Sequence, residues 1–299
     1  MKIKQFKDHF YSELSDLYSP SEIQSFFSIL IDEYLDLQRV DVITNPNFVI
    51  PTEKFNLLGW SLDQLKGQQP IQYIIGKTEF YGLPFLVNEH VLIPRPETEE
   101  LVEWVLLEVA KVQRDKGTEV QSDALSEVKE RKVSILDIGT GSGCIPIALK
   151  KNLPNASITA IDVSKGALGV AQKNAELNEV EIEFIEKNIL ETDDLQRKYD
   201  IIVSNPPYVR ELEKAEIKPN VLENEPHLAL FVEDHDPLIF YRKIAELAKS
   251  HLTENGMLFF EINQYLGKEM LEMMHLLDFK NVTLKKDLFG NDRMIKASL

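Results

Sequence analysis

Cysteine is almost missing from this chain: Cys144 is the only one in 299 residues. An intrachain disulfide is therefore excluded, and the chain suits a reducing cytoplasm. Long apolar runs are missing as well. No stretch approaches the ~18 consecutive apolar residues that a membrane span needs, so no membrane association is expected. Met1 to Asp8 hold no apolar signal core. Positive charge is scarce, with 33 Lys and Arg against 49 Asp and Glu, for a net charge of −16. So acidic a chain repels polyphosphate overall, which argues against a dedicated DNA or RNA binder. The histidines, His9, His90, His227, His235, His251 and His275, show no metal-ligand spacing. No metal is expected, and there is no internal repeat or low-complexity segment.

What is present suffices for real cores. The chain is 43 % hydrophobic, and its length suits one large or two ordinary domains. Residues 1 to about 75 read as helical. Ser19-Pro20-Ser21-Glu22 combines a capping serine, proline at the first helical position and glutamate three residues after the cap. Ile23, Phe26, Phe27, Leu30, Ile31, Tyr34 and Leu35 follow at helical spacing. Another helix is expected over Glu53 to Lys66. This block carries no cluster of catalytic residue types, so it reads as a small helical bundle that recognises a partner. Thr78 to Val87 predicts a hairpin around Gly82, which places a linker at 76–92. Pro96 can open a helix with acids in its first turn, carried on by Leu101, Val102, Val105, Leu106 and Val109. Gln113 to Arg131 is charged and apolar-poor, and reads as a loop or frayed helix.

From Lys132 strands and helices alternate. Strands are expected at Val133–Asp137, Ile158–Asp162, Ile182–Ile185, Ile201–Ser204 and Met257–Glu261. Helices fill the gaps, among them Ser164–Leu177 and Asp236–His251. A closing pair of strands is expected at Asn281–Leu284 and Arg293–Ala297. This alternation predicts an α/β fold with a doubly wound, mostly parallel sheet over 93–299.

Two places in that frame carry chemistry. The first strand runs into Asp137-Ile138-Gly139-Thr140-Gly141-Ser142-Gly143 and then a helix. Glycines there let a ligand approach the backbone. Asp162 ends the next strand, 23 residues past Gly139, near the ~20 expected for a carboxylate gripping ribose hydroxyls. It would otherwise be a helix-capping acid. The spacing is G-x-G-x-G rather than the G-x-G-x-x-G of dinucleotide sites. The second place is Ser204-Asn205-Pro206-Pro207-Tyr208. Two prolines end the strand, since neither can donate to a ladder. Asn205 is thereby held at the carboxyl end of a central strand, where open α/β sheets bind ligands. An acceptor-rich turn with the aromatic Tyr208 suits a planar amide or amino group. The alternative is a strand-ending turn with a stacked tyrosine.

The glycine turn resembles motif I of S-adenosylmethionine (SAM)-dependent methyltransferases. With Asp162 and Asn205-Pro206-Pro207-Tyr208 it is similar to those acting on planar nitrogens. Gln69-Pro70-Ile71-Gln72-Tyr73-Ile74-Ile75-Gly76, Glu79-Phe80-Tyr81-Gly82-Leu83, Leu92 to Glu99, Asn224-Glu225-Pro226 and Asp287 to Arg293 resemble the HemK/PrmC family. That resemblance implies a Rossmann-like methyltransferase domain behind an N-terminal helical domain that helps hold the substrate. It implies transfer of a methyl group from SAM, leaving S-adenosylhomocysteine. The acceptor would be the glutamine amide nitrogen in the Gly-Gly-Gln motif of class 1 peptide chain release factors. Gly139, Thr140, Gly141, Ser142, Gly143 and Asp162 would lie against SAM. Asp137 would take its methionine amino end or cap the loop. Asn188 and Ile189, after the third strand, would meet the adenine, although many members carry an acid at Asn188. The Asn205 side-chain oxygen and the Pro206 carbonyl would hold the amide, with Pro207 and Tyr208 beside them and Tyr208 stacked on its plane. Glu97 and Thr98 would line the SAM or glutamine pocket, or cap their helix. The alternatives are an N6-adenine or N2-guanine nucleic-acid methyltransferase, and a non-catalytic SAM-binding protein. Direct DNA contact is not expected.

Overall fold

The computed structural model describes residues 1–118 and 132–299. They fall into two compact units. One is Met1–Lys77 with Lys218–Asn224, and the other is Thr78–Ile217 with Glu225–Leu299.

The first unit is helical: α1 (Ile3–Leu14), α2 (Pro20–Leu35), α3 (Arg39–Thr44), α4 (Thr52–Lys66) and α5 (Ile71–Ile75). The start of α2 forms as the sequence predicts. Ser19 Oγ accepts from the Glu22 N–H at 3.3 Å, and Glu22 Oε2 accepts from the Ser19 N–H at 3.1 Å. Its apolar stripe, Ile23, Phe27, Leu30 and Ile31, is buried against Phe6, Phe10 and Leu14 of α1. The Phe10 and Phe27 rings meet edge to face at 5.6 Å. Each such side chain contributes roughly 1.5–3 kcal/mol by leaving water.

A hairpin follows, β1 (Lys77–Phe80) and β2 (Leu83–Leu86), and all of it but Lys77 belongs to the second unit. Tyr81 and Gly82 turn it, both at positive φ, the conformation a two-residue hairpin loop requires. Next come α6 (Pro96–Thr118), β3 (Ser134–Ile138), α7 (Cys144–Asn152), β4 (Ser157–Asp162), α8 (Lys165–Leu177), β5 (Glu183–Glu186) and β6 (Tyr199–Ser204). The short β7 (Val209–Arg210), α9 (Pro219–Leu222), α10 (His227–Leu230) and β8 (Phe231–Val232) follow, α9 belonging to the helical unit. The chain closes with α11 (Ile239–His251), β9 (Leu252–Glu261), α12 (Gly267–Leu276), β10 (Lys280–Lys286) and β11 (Asp292–Ser298). The segment read as loop or frayed helix is helical as far as Thr118, and its remainder lies outside the described residues. The helix expected from Asp236 begins at Ile239. Asp236 precedes Pro237, whose ring disfavours helical geometry in the residue before it. The strand expected from Met257 begins at Leu252, where it pairs with Tyr199.

The main sheet runs β10-β11-β9-β6-β3-β4-β5. β3, β4, β5, β6 and β9 are parallel, while β11 runs antiparallel to β9 and to β10. Strands pointing one way alternate their side chains between two cores. Ile135, Ile201, Val203 and Phe259 pack with Val102, Trp104 and Ile147. Leu136, Ile138, Ile202, Leu258 and Phe260 pack with Tyr241, Ile244, Met270 and Met274. The strand order reverses beside β3: β4 and β5 lie on one side, β6 and β9 on the other. Ile138 is paired with Ser204 and Ser204 with Phe260. The residues just after those three therefore emerge level at the carboxyl edge, where the reversal leaves a crevice.

Candidate active site

A cavity of about 260 Å³ opens at that edge. Of the residues singled out from sequence, Gly139, Thr140, Gly141, Ser142 and Asp162 line it. So do Asn188, Ile189, Asn205, Pro206, Pro207 and Thr98. Asp137, Gly143, Tyr208 and Glu97 do not, and each has a local reason.

Gly143 sits at φ +81°, where a Cβ would press on Ala171 Cβ and Ile147 Cδ1 at 3.1 Å. It lets α7 approach α8 and lies behind the cavity wall. The rest of the turn is pinned from below. Gly139 and Thr140 donate their N–H groups to the Ile161 carbonyl at 2.9 and 3.1 Å. Asp162 holds it from the side, accepting from Gly141 N–H at 2.8 Å and from Ser164 N–H at 2.9 Å. Burial raises the Asp162 carboxyl, and these backbone donors pull it back. Asp162 thus braces the glycine turn and the approach to α8, whose cap is Ser164. Two accepted bonds still leave it lone pairs, since a carboxylate offers about four acceptor sites.

Asp137 lies fully buried beneath the glycine turn, in the electrostatic reach of Thr140 and Asp162. Among the described residues neither of its oxygens has a hydrogen-bond partner of good geometry, and neither does Thr140 Oγ1, although that hydroxyl lies near enough to hold the carboxyl down. Burial pushes the Asp137 carboxyl up to about 7, against the nearby Thr140 hydroxyl and helped by the Asp162 charge. A buried carboxylate without a donor is costly, and such groups cluster where a ligand completes them.

Asn188 differs from the sequence reading in one respect. Its Oδ1 accepts from Leu190 N–H at 3.1 Å and so caps the short 3₁₀ turn Ile189–Glu191. That oxygen is partly committed, while Ile189 presents an apolar wall.

Asn205 follows β6 as expected. Its Nδ2 donates to Thr98 Oγ1 at 3.3 Å, and Thr98 donates to Glu261 Oε2 at 2.7 Å. Tyr208 donates its hydroxyl to Glu261 Oε1 at 3.1 Å. Its ring packs against the core holding Tyr241 and Phe260 rather than lining the cavity. Burial is the main cause that raises the Tyr208 phenol, aided by the Glu261 charge, so it stays protonated. Thr98 is buried in the first turn of α6, and the neighbouring Glu97 is half-buried, outside the cavity lining but within electrostatic reach of Glu261.

Two buried acids escaped the sequence reading. Glu261 ends β9 after four apolar residues, Met257 to Phe260; a charge closing so apolar a strand was the signal. Glu225 was quoted only as part of a motif. It accepts from Ile93 N–H at 3.2 Å and pairs with the Arg95 guanidinium. It thereby fixes the segment Ile93–Arg95, whose Pro94 and Arg95 form part of the cavity wall.

A sheet that reverses at this point, with a glycine turn over it, is the frame of the Rossmann-like SAM-dependent methyltransferases. Residues 109–229 match the Methyltransferase small domain family, and residues 8–76 match the PrmC N-terminal domain. The chain belongs to the release factor glutamine methyltransferase family. It is 58 % identical to the release factor glutamine methyltransferase of Flavobacterium psychrophilum, covering 100 % of this chain and 99 % of that one. The enzyme of that name from Bacteroides thetaiotaomicron is 41 % identical, over 95 % and 96 % of the two chains. Among solved structures, the hMettl16 catalytic domain in complex with a MAT2A 3′UTR hairpin shares the fold. Its TM-score is 0.53 at 16 % identity, over 81 % of this chain and 80 % of that one. Among the described residues, no helix is long and apolar enough to cross a membrane.

Proposed function

We propose that this chain methylates the side-chain nitrogen of the glutamine in the Gly-Gly-Gln motif of class 1 release factors, with SAM as donor. The observation that carries the reading is the orientation of Asn205. One of its amide hydrogens is donated to Thr98 Oγ1, and no described residue donates to its Oδ1. A bare acceptor at the cavity edge suits an NH₂ group.

SAM, when bound, supplies an electrophilic methyl group on a sulfonium. The unpartnered oxygens of Asp137 and the Thr140 hydroxyl suit its cationic methionine end. Asp162 keeps lone pairs for ribose hydroxyls, and Ile189 offers the adenine an apolar face. An amide nitrogen is a poor nucleophile because its lone pair is delocalised into the carbonyl. Asn205 Oδ1 and the Pro206 carbonyl would take its two hydrogens and turn the nitrogen toward the donor. As positive charge grows on nitrogen, these fixed dipoles stabilise it without reorganising. The rigid Pro206-Pro207 backbone keeps the alignment. The N–CH₃ bond would form as the sulfonium C–S bond breaks, leaving S-adenosylhomocysteine, and the surplus proton on nitrogen would pass by way of the Asn205 or Pro206 acceptor to solvent, so no side-chain general base is required.

The helical unit would hold the body of the release factor. In support, its sequence matches the PrmC N-terminal domain. It also carries a polar groove of about 330 Å³, lined in part by Ser21, Glu22, Ser25, Gln69 and Gln72. A single buried cysteine and a substrate of translation suit the cytoplasm.

The direct test is to incubate the protein with methyl-labelled SAM, a class 1 release factor and duplex DNA, then locate the label. Label on the Gly-Gly-Gln glutamine supports the reading. Label on DNA favours the nucleic-acid alternative, and SAM binding without transfer leaves a binding protein.

A further inference from the structure

We propose that Glu261 is a positioning residue that sets which way round the Asn205 amide sits. The proposal rests on the reading of Asn205 as the acceptor for the substrate NH₂. Glu261 closes β9, whose Phe260 pairs with Ser204 of β6, so it lies level with Asn205. It is 1 % exposed. An ionised carboxylate can only accept hydrogen bonds. Glu261 accepts two, from the Thr98 hydroxyl at 2.7 Å and the Tyr208 hydroxyl at 3.1 Å.

The consequence follows from proton count. A threonine hydroxyl has one hydrogen, and Glu261 takes it. Toward Asn205, Thr98 can then only accept, so Asn205 must present its NH₂, as observed at 3.3 Å. The oxygen of that amide is left facing away from Thr98. A side-chain amide has nearly the same shape after a half-turn, so packing alone does not choose. Without the carboxylate, Thr98 is free to donate to the Asn205 oxygen. The flipped amide would then set its own NH₂ against the NH₂ of the substrate, donor against donor.

A buried charge is costly when two neutral hydroxyls are all it receives. Here Arg293 supplies an opposite charge, while Glu97 opposes it. Burial raises the Glu261 carboxyl, and Thr98, Arg293 and Tyr208 counter that rise. What a glutamine at this position would lack is the obligation to accept on both sides.

The test uses Glu261→Gln and Thr98→Val in the full chain, alone and together, with SAM and a class 1 release factor. Both changes keep side-chain volume, and Thr98→Val leaves the buried charge in place. Each single variant is expected to lose about 10- to 100-fold in kcat, the worth of a hydrogen bond to a charged group. SAM affinity should stay within about twofold, because the bonds of Thr98 and Glu261 run to each other, Asn205 and Tyr208 and not to Asp137 or Asp162. The double variant should be no worse than the worse single, since both break one relay. Losses that multiply would mean that Glu261 only supports the fold, and would overturn the proposal. A second readout needs no turnover: hydrogen exchange of the Asn205 side-chain NH₂, followed by ¹⁵N NMR. In the wild type Thr98 should slow that exchange, and Glu261→Gln should speed it. Unchanged exchange would overturn the positioning role even if methylation falls. A wild type that labels DNA or nothing would instead overturn the release-factor reading, and the NMR result would still decide the role of Glu261.

Discussion

The two units bury different things. In the helical unit the interior is phenylalanine, leucine and isoleucine, and among its described residues Ser61 is the only buried polar one. In the sheet unit the interior also holds Asp137, Glu108, Glu213, Glu225, Glu261 and Asp287. Apolar burial stabilises wherever it occurs, so the first interior is explained by packing. Buried acids cost stability unless something satisfies them. Most here have donors. Asp287 accepts from Phe289 and Asn291 N–H groups and from Arg293. Among the described residues Asp137 has none of good geometry, and it lies under the glycine turn. The lesson is that a site shows itself as the place where a core departs from packing logic without local repair.

The comparison is broken most sharply by Phe10→Ala. Phe10 is fully buried among aromatic rings, so its loss should cost about 3–5 kcal/mol. Denaturant melts should show that loss while SAM affinity of the folded protein stays put. A parallel fall in SAM affinity would mean that the helical interior serves the site after all.

Asn205→Ala is the converse, a small change in stability with a large one in rate. Removing an acceptor aimed at developing charge should lower single-turnover methyl transfer ~10²–10³-fold, about 2.7–4 kcal/mol. SAM affinity should barely move. A near-normal rate in a folded variant would refute the role assigned to Asn205.

Asp162→Ala should weaken SAM binding by ~1.5–3 kcal/mol, the range for a hydrogen bond to a charged group. Since Asp162 also braces Gly141 and Ser164, part of that loss will come from a looser turn. Calorimetry showing unchanged affinity would remove Asp162 from the site.

Asp137 gives the smallest effect and the clearest signature. Its carboxyl is raised from 3.8 to about 7. Below that pH it carries a proton that a cationic ligand must expel, so SAM affinity should fall as pH drops from 8 to 6. The fall should approach about tenfold per unit below the shifted value. For stability the sign runs the other way. A raised carboxyl favours the fold below 3.8 and loses that contribution as pH rises through about 7. Asp137→Asn should therefore melt higher at pH 8 than the wild type, bind SAM more weakly and show a flat pH profile of affinity. A wild-type profile already flat between pH 6 and 8 would contradict this account.

Much of this was legible along the chain because it is local. The capping box at Ser19, the hairpin at Gly82 and the strands that run into Gly139 and Asn205 depend on residues within a few positions of one another. Periodicity and turn chemistry settle such features. The role of Asn188 toward adenine rests on the family resemblance instead, and its oxygen also caps its own turn.

What the sequence by itself determined was the set of elements and the chemistry they carry to their ends. A continuous apolar run and proline punctuation place Asn205 at a strand terminus whatever the strand's neighbours are. Which neighbours it has was decided by tertiary structure alone. β6 lies between β3 and β9, and this sets Asn205 beside a glycine turn more than sixty residues earlier and a carboxylate more than fifty residues later. Thr98 meets Glu261 across 163 residues, and residues 218–224 join the helical unit far from it in sequence. No local pattern encodes such pairings. They follow from strand order and register, which the two cores select together when the sheet is buried on both faces.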